Sequence, residues 1–437
     1  MGKRMSRRDE WNADSSRKQE LNEKIELLME EEAGNLFKDY EKAHRTMSVG
    51  GRRVVMLAVF LAGALLLSLI LNAWGILVAP FGGIVTDQWS YTLAEYRELV
   101  VYQAGELITF ITTGSGAFGP VVKMYLVIIV AGYAMSVTGA VYQGLFANPM
   151  ASPTTMGVNA GGVLGGLFYA LVIYDTMSLT TFRTTTSSYS AMHASELIAY
   201  YNSLNIFQRS AQSLCILAGC FLGVMIILAI SMAAGRGKVS TVALLLAGSV
   251  FSTVITEIGQ LVQYYLSMYG DEDKATLVST LIGGNYIVRD YTWSEMLFFC
   301  VPVIGVSILV FALANKINII AFGEAEARAM GVNVTRCRNG LIAACTVLSA
   351  LVLSFCGQVS MVGFLMPHLA RYLVGPDFKK LVPASALLGG ITTLVVYDLC
   401  YMMAATGSFN LYTGVACSII SAIFIIFYRR NRHADWS

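Results

Sequence analysis

Long apolar runs separated by short polar breaks dominate the chain after residue 53. A helix needs about 20 apolar residues to cross the hydrocarbon core, and the windows 54–78, 122–143, 155–174, 208–233, 240–267 and 293–315 meet that length. Further runs at 340–356, 359–374, 383–404 and 411–428 are shorter and broken by Gly and Pro. Such breaks suit helices enclosed by other helices, where neighbours satisfy the freed backbone groups. The pattern predicts an all-α polytopic membrane protein of ten transmembrane helices.

Charge fixes an expected orientation. Loops on the inner side of a membrane are rich in Lys and Arg. With a cytoplasmic N-terminus and ten spans, the inner loops and C-terminus carry 12 basic residues, among them Arg236, Lys316, Arg336, Lys379 and Arg429, against six on the outer side. Both termini are therefore expected in the cytoplasm. Outer segments 80–120, 175–207 and 270–291 are long enough to fold, and Trp74 and Trp293 lie near span ends, where amphipathic rings favour the interface.

Composition sharpens the picture. Apolar residues make up 56% of the 437 and charged residues 13%, with a mean hydropathy of +0.61. Residues 1–53 hold 12 basic and 11 acidic side chains, so the remaining body is about 9% charged where soluble domains average about 25%. A soluble enzyme is excluded, and 30 basic against 28 acidic residues leave little to neutralise a nucleic-acid backbone. The division predicted is a charged N-terminal extension over 1–53, a ten-helix transmembrane domain over 54–428 and a tail over 429–437. Within the extension, Leu21, Ile25, Leu28, Leu36 and Tyr40 fall near helical spacing, which predicts a solvated amphipathic helix. No signal peptide is expected. All eight cysteines except Cys337 lie in apolar runs without a CxxC pair and read as small buried hydrophobes.

Catalytic patterns are missing. No G-x-x-x-x-G-K-[ST] loop exists, so the chain is not expected to hydrolyse ATP, and HExxH is absent. The four histidines are scattered and no cofactor is expected. Two acids, Glu257 and Asp398, fall inside spans, where an ionisable group is a functional candidate by default. They support an alternative reading, an ion-coupled secondary transporter. Between the sixth and seventh spans, Gly323-Glu-Ala-Glu-Ala-Arg-Ala-Met-Gly331 predicts a two-turn helix between two breakers, a rigid knob for a partner.

The chain also matches itself. An offset of 218 pairs Gly139 with Gly357, Val141 with Val359, Phe146 with Phe364, Pro149 with Pro367 and Gly157 with Gly375. An odd number of spans separates the copies, which would invert one relative to the other. Inverted repeats are a transporter signature.

These residues resemble the permease subunits of ABC importers for iron-siderophore complexes, haem and vitamin B12. Gly139-Ala-Val-Tyr-Gln143, Asn148-Pro149-Met-Ala151 and Met156-Gly157-Val-Asn-Ala-Gly161 are similar to that family's G-A-x-x-Q, N-P-L-A and L-G-x-x-x-G signature. Val362-Gly363-Phe-Leu-Met-Pro367-His368, Arg371, Gly375-Pro-Asp377 and Pro383 are similar to V-G-L-x-x-P-H-x-x-R-x-x-x-G-x-D…P, and Asp398 sits in its ninth-span position. Leu244-Leu-Leu-Ala-Gly248 resembles the opening of its fifth span.

The resemblance implies several partners: a second permease copy, two cytoplasmic ATPase subunits, an extracytoplasmic substrate-binding protein and the lipid bilayer of a bacterial or archaeal cell. It implies an ATPase-coupling helix at Gly323, Glu324, Glu326, Ala327, Arg328, Met330 and Gly331. It also implies a path or gate along Ser240, Thr241, Gly248, Glu257, Gln260 and Tyr264. Where the family carries arginines for docking the binding protein, this chain has Phe118, Val121 and Met402.

Overall fold

The computed structural model describes residues 52–68, 118–174, 206–236, 241–269, 272–283, 293–359 and 361–402, with the single positions 101, 105 and 419. Twelve helices lie in these stretches. They are α1 (52–68), α2 (Phe118–Leu145), α3 (Val158–Phe168), α4 (Ile206–Ala234), α5 (Thr241–Met268), α6 (Glu272–Gly283), α7 (Trp293–Ala312), α8 (Ala314–Phe322), α9 (Glu324–Ala329), α10 (Val334–Cys356), α11 (Val362–Val374) and α12 (Phe378–Met402). A π-helical turn, Tyr169–Ile173, prolongs α3.

Six of them are long and apolar enough to cross a membrane: the bodies of α2, α4, α5, α7, α10 and α12. Two predicted spans fold shorter than the sequence suggests. α11 has 13 residues, a rise of about 20 Å where the hydrocarbon core needs about 30 Å, and α3 with its π turn runs only Val158–Ile173. α3 follows a turn holding Pro149, Pro153 and Gly157, α11 follows one that opens on Gly357, and both helices are largely buried, so their ends meet protein instead of lipid. The first window is described only over 52–68. The tenth span, the extension before residue 52, the segments 80–100 and 175–205, Ser240 and the C-terminal tail lie outside the described residues.

α2 is apolar on every side and nearly every side chain from Tyr125 to Phe146 is shielded, as a helix at the centre of a bundle must be. It packs against α12, α11, α10, α7 and α8. α12 runs antiparallel to it, with glycines at the crossing: a Cβ at Gly132 would lie 2.4 Å from the carbonyl oxygen of Gly389. Thr393 Oγ1 donates to the Ile128 carbonyl at 3.0 Å, and the rings of Tyr125 and Tyr397 meet edge to face at 5.7 Å.

A second close seam joins α3 to α4. Gly161 and Gly165 face Gly219 and Gly223, and a Cβ at Gly161 would stand 2.2 Å from the Gly219 carbonyl oxygen. Without a hydrophobic drive between helices in lipid, such small-residue seams let backbones approach and gain dispersion contact. α4 and α7 turn broad apolar faces outward, including Leu222, Met225, Leu297 and Ile308, as lipid contact requires.

The self-match is partly visible. Gly157 opens α3 with φ 72° and Gly375 precedes α12 with φ 89°, a left-handed conformation that glycine adopts at little cost. Phe146 and Pro149, however, lie in the turn after α2, whereas their matches Phe364 and Pro367 lie inside α11. Equivalent irregular turns therefore hold at Gly157 and Gly375 and fail at the prolines and at Gly139, which lies inside α2 while its match Gly357 ends α10.

Candidate functional site

The signature residues converge where α2 crosses α11. Gln143 Nε2 donates to the Phe364 carbonyl at 3.1 Å and lies 3.1 Å from His368 Nδ1, which is itself 2.9 Å from that carbonyl. Pro367 contributes no N–H, so the Gly363 carbonyl one turn back has no helical donor, and Gly139 closes over it. Asn148 shapes the next turn by accepting from the Met150 N–H at 2.8 Å. Ser152 and Thr155 exchange side-chain hydrogen bonds there and seat α5, since Ser252 Oγ donates to Thr154 O at 2.7 Å and Gly248 presses on Thr155 O. Gln143, Asn148, Pro149, Gly157, Gly363, Pro367 and His368 thus fix one connected frame. Arg371 is half-buried in the last turn of α11.

Asp398 is bracketed elsewhere. Its carboxylate accepts from Ser68 Oγ of α1 and from Tyr125 Oη of α2 at 3.1 Å. Sequence reasoning singled out the acid and missed both partners, which are 330 and 273 residues away.

Glu257 stands in different surroundings. It is exposed on α5 together with Ser249, Thr253, Gln260 and Tyr264. These positions recur at intervals of three or four and form one polar stripe along an otherwise apolar span. No described hydrogen bond joins Glu257 to Asp398. Thr241 begins α5. The rings of Tyr265 and Tyr269 meet at a tilt, centroids 4.3 Å apart, near the other end of the helix, beside a cavity also lined by Leu171, Leu261 and Met268.

The predicted knob is α9. Gly323 and Gly331 flank it with φ 149° and 79°. Glu324 pairs with Arg338 of α10 and lies 3.5 Å from Arg328. Ala327 is 0% exposed, so it anchors the knob inward instead of meeting a partner. The surfaces that point away are Glu324, Arg328, Met330 at 66% exposure and Phe322 at 86%.

Sequence reading passed over Phe322, and it passed over Asn318 of α8. Asn318 Nδ2 donates to Asp377 Oδ1 at 2.8 Å, while its Oδ1 accepts from the Phe378 N–H at 2.9 Å. Asn318 set between Ile317 and Ile319, in the run between the sixth span and the knob, was the available signal. Phe118 and Val121 open α2 and Met402 ends α12, which the antiparallel pairing places at one end of the pair.

Polar side chains in a row on a lipid-length span suit water or another chain, as in a multi-pass membrane permease. The chain belongs to the FecCD transport family, whose model matches residues 121–430. Members are permease subunits of ABC importers and the chain is a protein of the plasma membrane.

Its relatives include the cobalamin import system permease BtuC of Halobacterium salinarum, 28% identical over 304 residues and 69% of each chain. The Fe(3+) dicitrate transport system permease FecC of Escherichia coli is 28% identical over 312 residues, 70% of this chain and 80% of its own. The molybdate import system permease MolB of Haemophilus influenzae is 26% identical over 271 residues, 62% of this chain and 68% of its own. A solved metal-chelate type ABC transporter in an inward-facing conformation shares the fold with a TM-score of 0.57 at 20% identity, covering 85% of this chain and 99% of its own.

Proposed function

We propose that this chain forms the inward path of an ABC importer for a metal chelate, working as two copies on two ATPase subunits that hydrolyse ATP, and fed by an extracytoplasmic binding protein. The polar stripe of α5 carries the reading. Ser249, Thr253, Glu257, Gln260 and Tyr264 are exposed on a span whose other outward side chains are apolar apart from Ser267 near its end, and polar groups at membrane depth face a bundle interior or a water-filled cavity. A second copy apposed to this face encloses such a cavity, with Ser240 and Thr241 toward its cytoplasmic mouth and Gly248 letting the helix lean on the 152–157 turn. α9 is the coupling helix, with Phe322 and Met330 as its apolar contacts. Phe118, Val121 and Met402 dock the binding protein by apolar contact. Residues 1–53 are a cytoplasmic extension and residues 429–437 a cytoplasmic tail.

Iron-chelate, haem and corrinoid cargo all agree with the relatives' names. The ion-coupled alternative needs Glu257 and Asp398 to act together, and the two have separate surroundings. Cysteine at Gln260 tests the reading. Oxidation of the reconstituted importer should join two copies through that position in a nucleotide-dependent way, and the ATPase inhibitor vanadate should stop uptake. Uptake that resists vanadate and collapses with an uncoupler would overturn it.

A further inference from the structure

We propose that Glu257 makes the path charge-selective, admitting neutral and cationic chelates and rejecting anions. This rests on the two-copy path described above. Glu257 is the single Asp, Glu, Lys, Arg or His among the 28 residues of α5. Its carboxylate makes no ion pair or hydrogen bond with any described residue, and its stripe neighbours Ser249, Thr253, Gln260 and Tyr264 are uncharged. Two-fold pairing sets a second Glu257 on the opposite wall. Two carboxylates with no basic counterpart, between low-dielectric walls, focus a negative potential across the lumen. Rings of acidic side chains act in this way in cation-conducting pores.

The wall above points to the same cargo. Tyr264, Tyr265, Tyr269, Met268, Leu171 and Leu261 line a cavity of about 870 Å³ that contains no charged residue. Such a lining holds bulky apolar chelates by shape, and aromatic faces attract cations. A small oxyanion or a citrate complex finds no positive group among the described residues of this stripe and cavity.

The test measures potential directly and needs no identified cargo. Thr253→Cys places a thiol one turn from Glu257. The full-length chain, reconstituted in liposomes, is treated separately with a cationic and an anionic methanethiosulfonate, and labelling of the native cysteines in the parent protein is subtracted. Relative to the same reagents on a free thiol, the cation should be favoured by at least about threefold, the effect of a nearby unit charge in a partly hydrated site. Adding Glu257→Gln should bring the ratio close to one and Glu257→Lys should invert it, while Glu257→Asp should preserve it. Equal ratios in all four backgrounds would overturn the charge filter and leave the path intact. A Thr253→Cys thiol inert to both reagents, in a chain that also forms no Gln260→Cys crosslink, would overturn the path itself.

Discussion

Gly139 of α2 packs against the carbonyl oxygen of Gly363 so closely that a Cβ on Gly139 would lie 1.6 Å from it. Pro367 accounts for the intimacy. Its ring nitrogen cannot donate to that carbonyl, and the helix opens there enough for the neighbouring backbone to fill the place, with a Cα–H facing the oxygen. A proline in one helix and a glycine in another therefore define a single joint, and the Gln143 and His368 hydrogen bonds lie one turn further along it.

Gly139→Ala should destabilise the purified chain by about 3 kcal/mol, the upper part of the range for overpacking a tight contact. Thermal unfolding in detergent measures it. Gly340→Ala in α10, where a Cβ would meet nothing within 4 Å, should be neutral or slightly stabilising; equal behaviour of the two variants would refute the joint.

Asp398 anchors α1 and α2 to α12 and is not expected to carry protons. Asp398→Asn keeps an acceptor for Ser68 and Tyr125 and should retain uptake, insensitive to uncouplers. Asp398→Leu strands two hydroxyls and should cost about 2 kcal/mol of stability. Abolished uptake in a stably folded Asp398→Asn protein would restore the proton-relay reading.

Substitutions in the knob should separate folding from contact. Ala327→Asp buries a carboxylate inside the chain and should lower thermal stability along with ATPase coupling, since an unpaired buried charge costs about 3 kcal/mol or more. Met330→Asp changes only an exposed side chain and should reduce coupled ATP hydrolysis about tenfold or more at unchanged melting temperature, as loss of a hot-spot contact does. Full coupling in the Met330→Asp protein would remove that residue from the ATPase interface.

Asn318→Ala removes two hydrogen bonds at the start of α12 and should cost about 1–3 kcal/mol. Hydrogen exchange at Phe378 is the local readout. Protection unchanged from the parent would show that Asp377 and its own cap suffice.

Hydropathy made α2, α4, α5 and α7 legible as full-length windows because lipid demands one property, apolarity sustained for about 20 residues, whereas it read the equally long α10 and α12 as shorter, broken runs. It overstated α11, whose residues are apolar because protein surrounds them. A window cannot distinguish those two solvents. Of the α5 stripe, Glu257, Gln260 and Tyr264 were named from the sequence, while Ser249 and Thr253, which continue the same helical period, were passed over. α9 was legible as a helix between two glycines, yet nothing in six residues tells that Ala327 turns inward, because that depends on α8 and α10. The bracket on Asp398 was illegible for a related reason: Ser68 and Tyr125 are ordinary residues in other spans, and one sequence holds no record of which spans touch.

The clasp between Asn318 and Asp377 has a mechanical consequence. It ties the segment that leads into the knob to the foot of α12, a rod of 25 residues and therefore about 37 Å long. The far end of that rod bears Tyr397 and Asp398, gripped by α1 and α2. Tilting the rod by about 5° about the crossing of Gly132 and Gly389, about 20 Å from its far end, would swing that end by about 2 Å. α12 is thus a lever, with its fulcrum at the glycine crossing of Gly132 and Gly389 and its handle beside the face where the nucleotide-driven machinery would push.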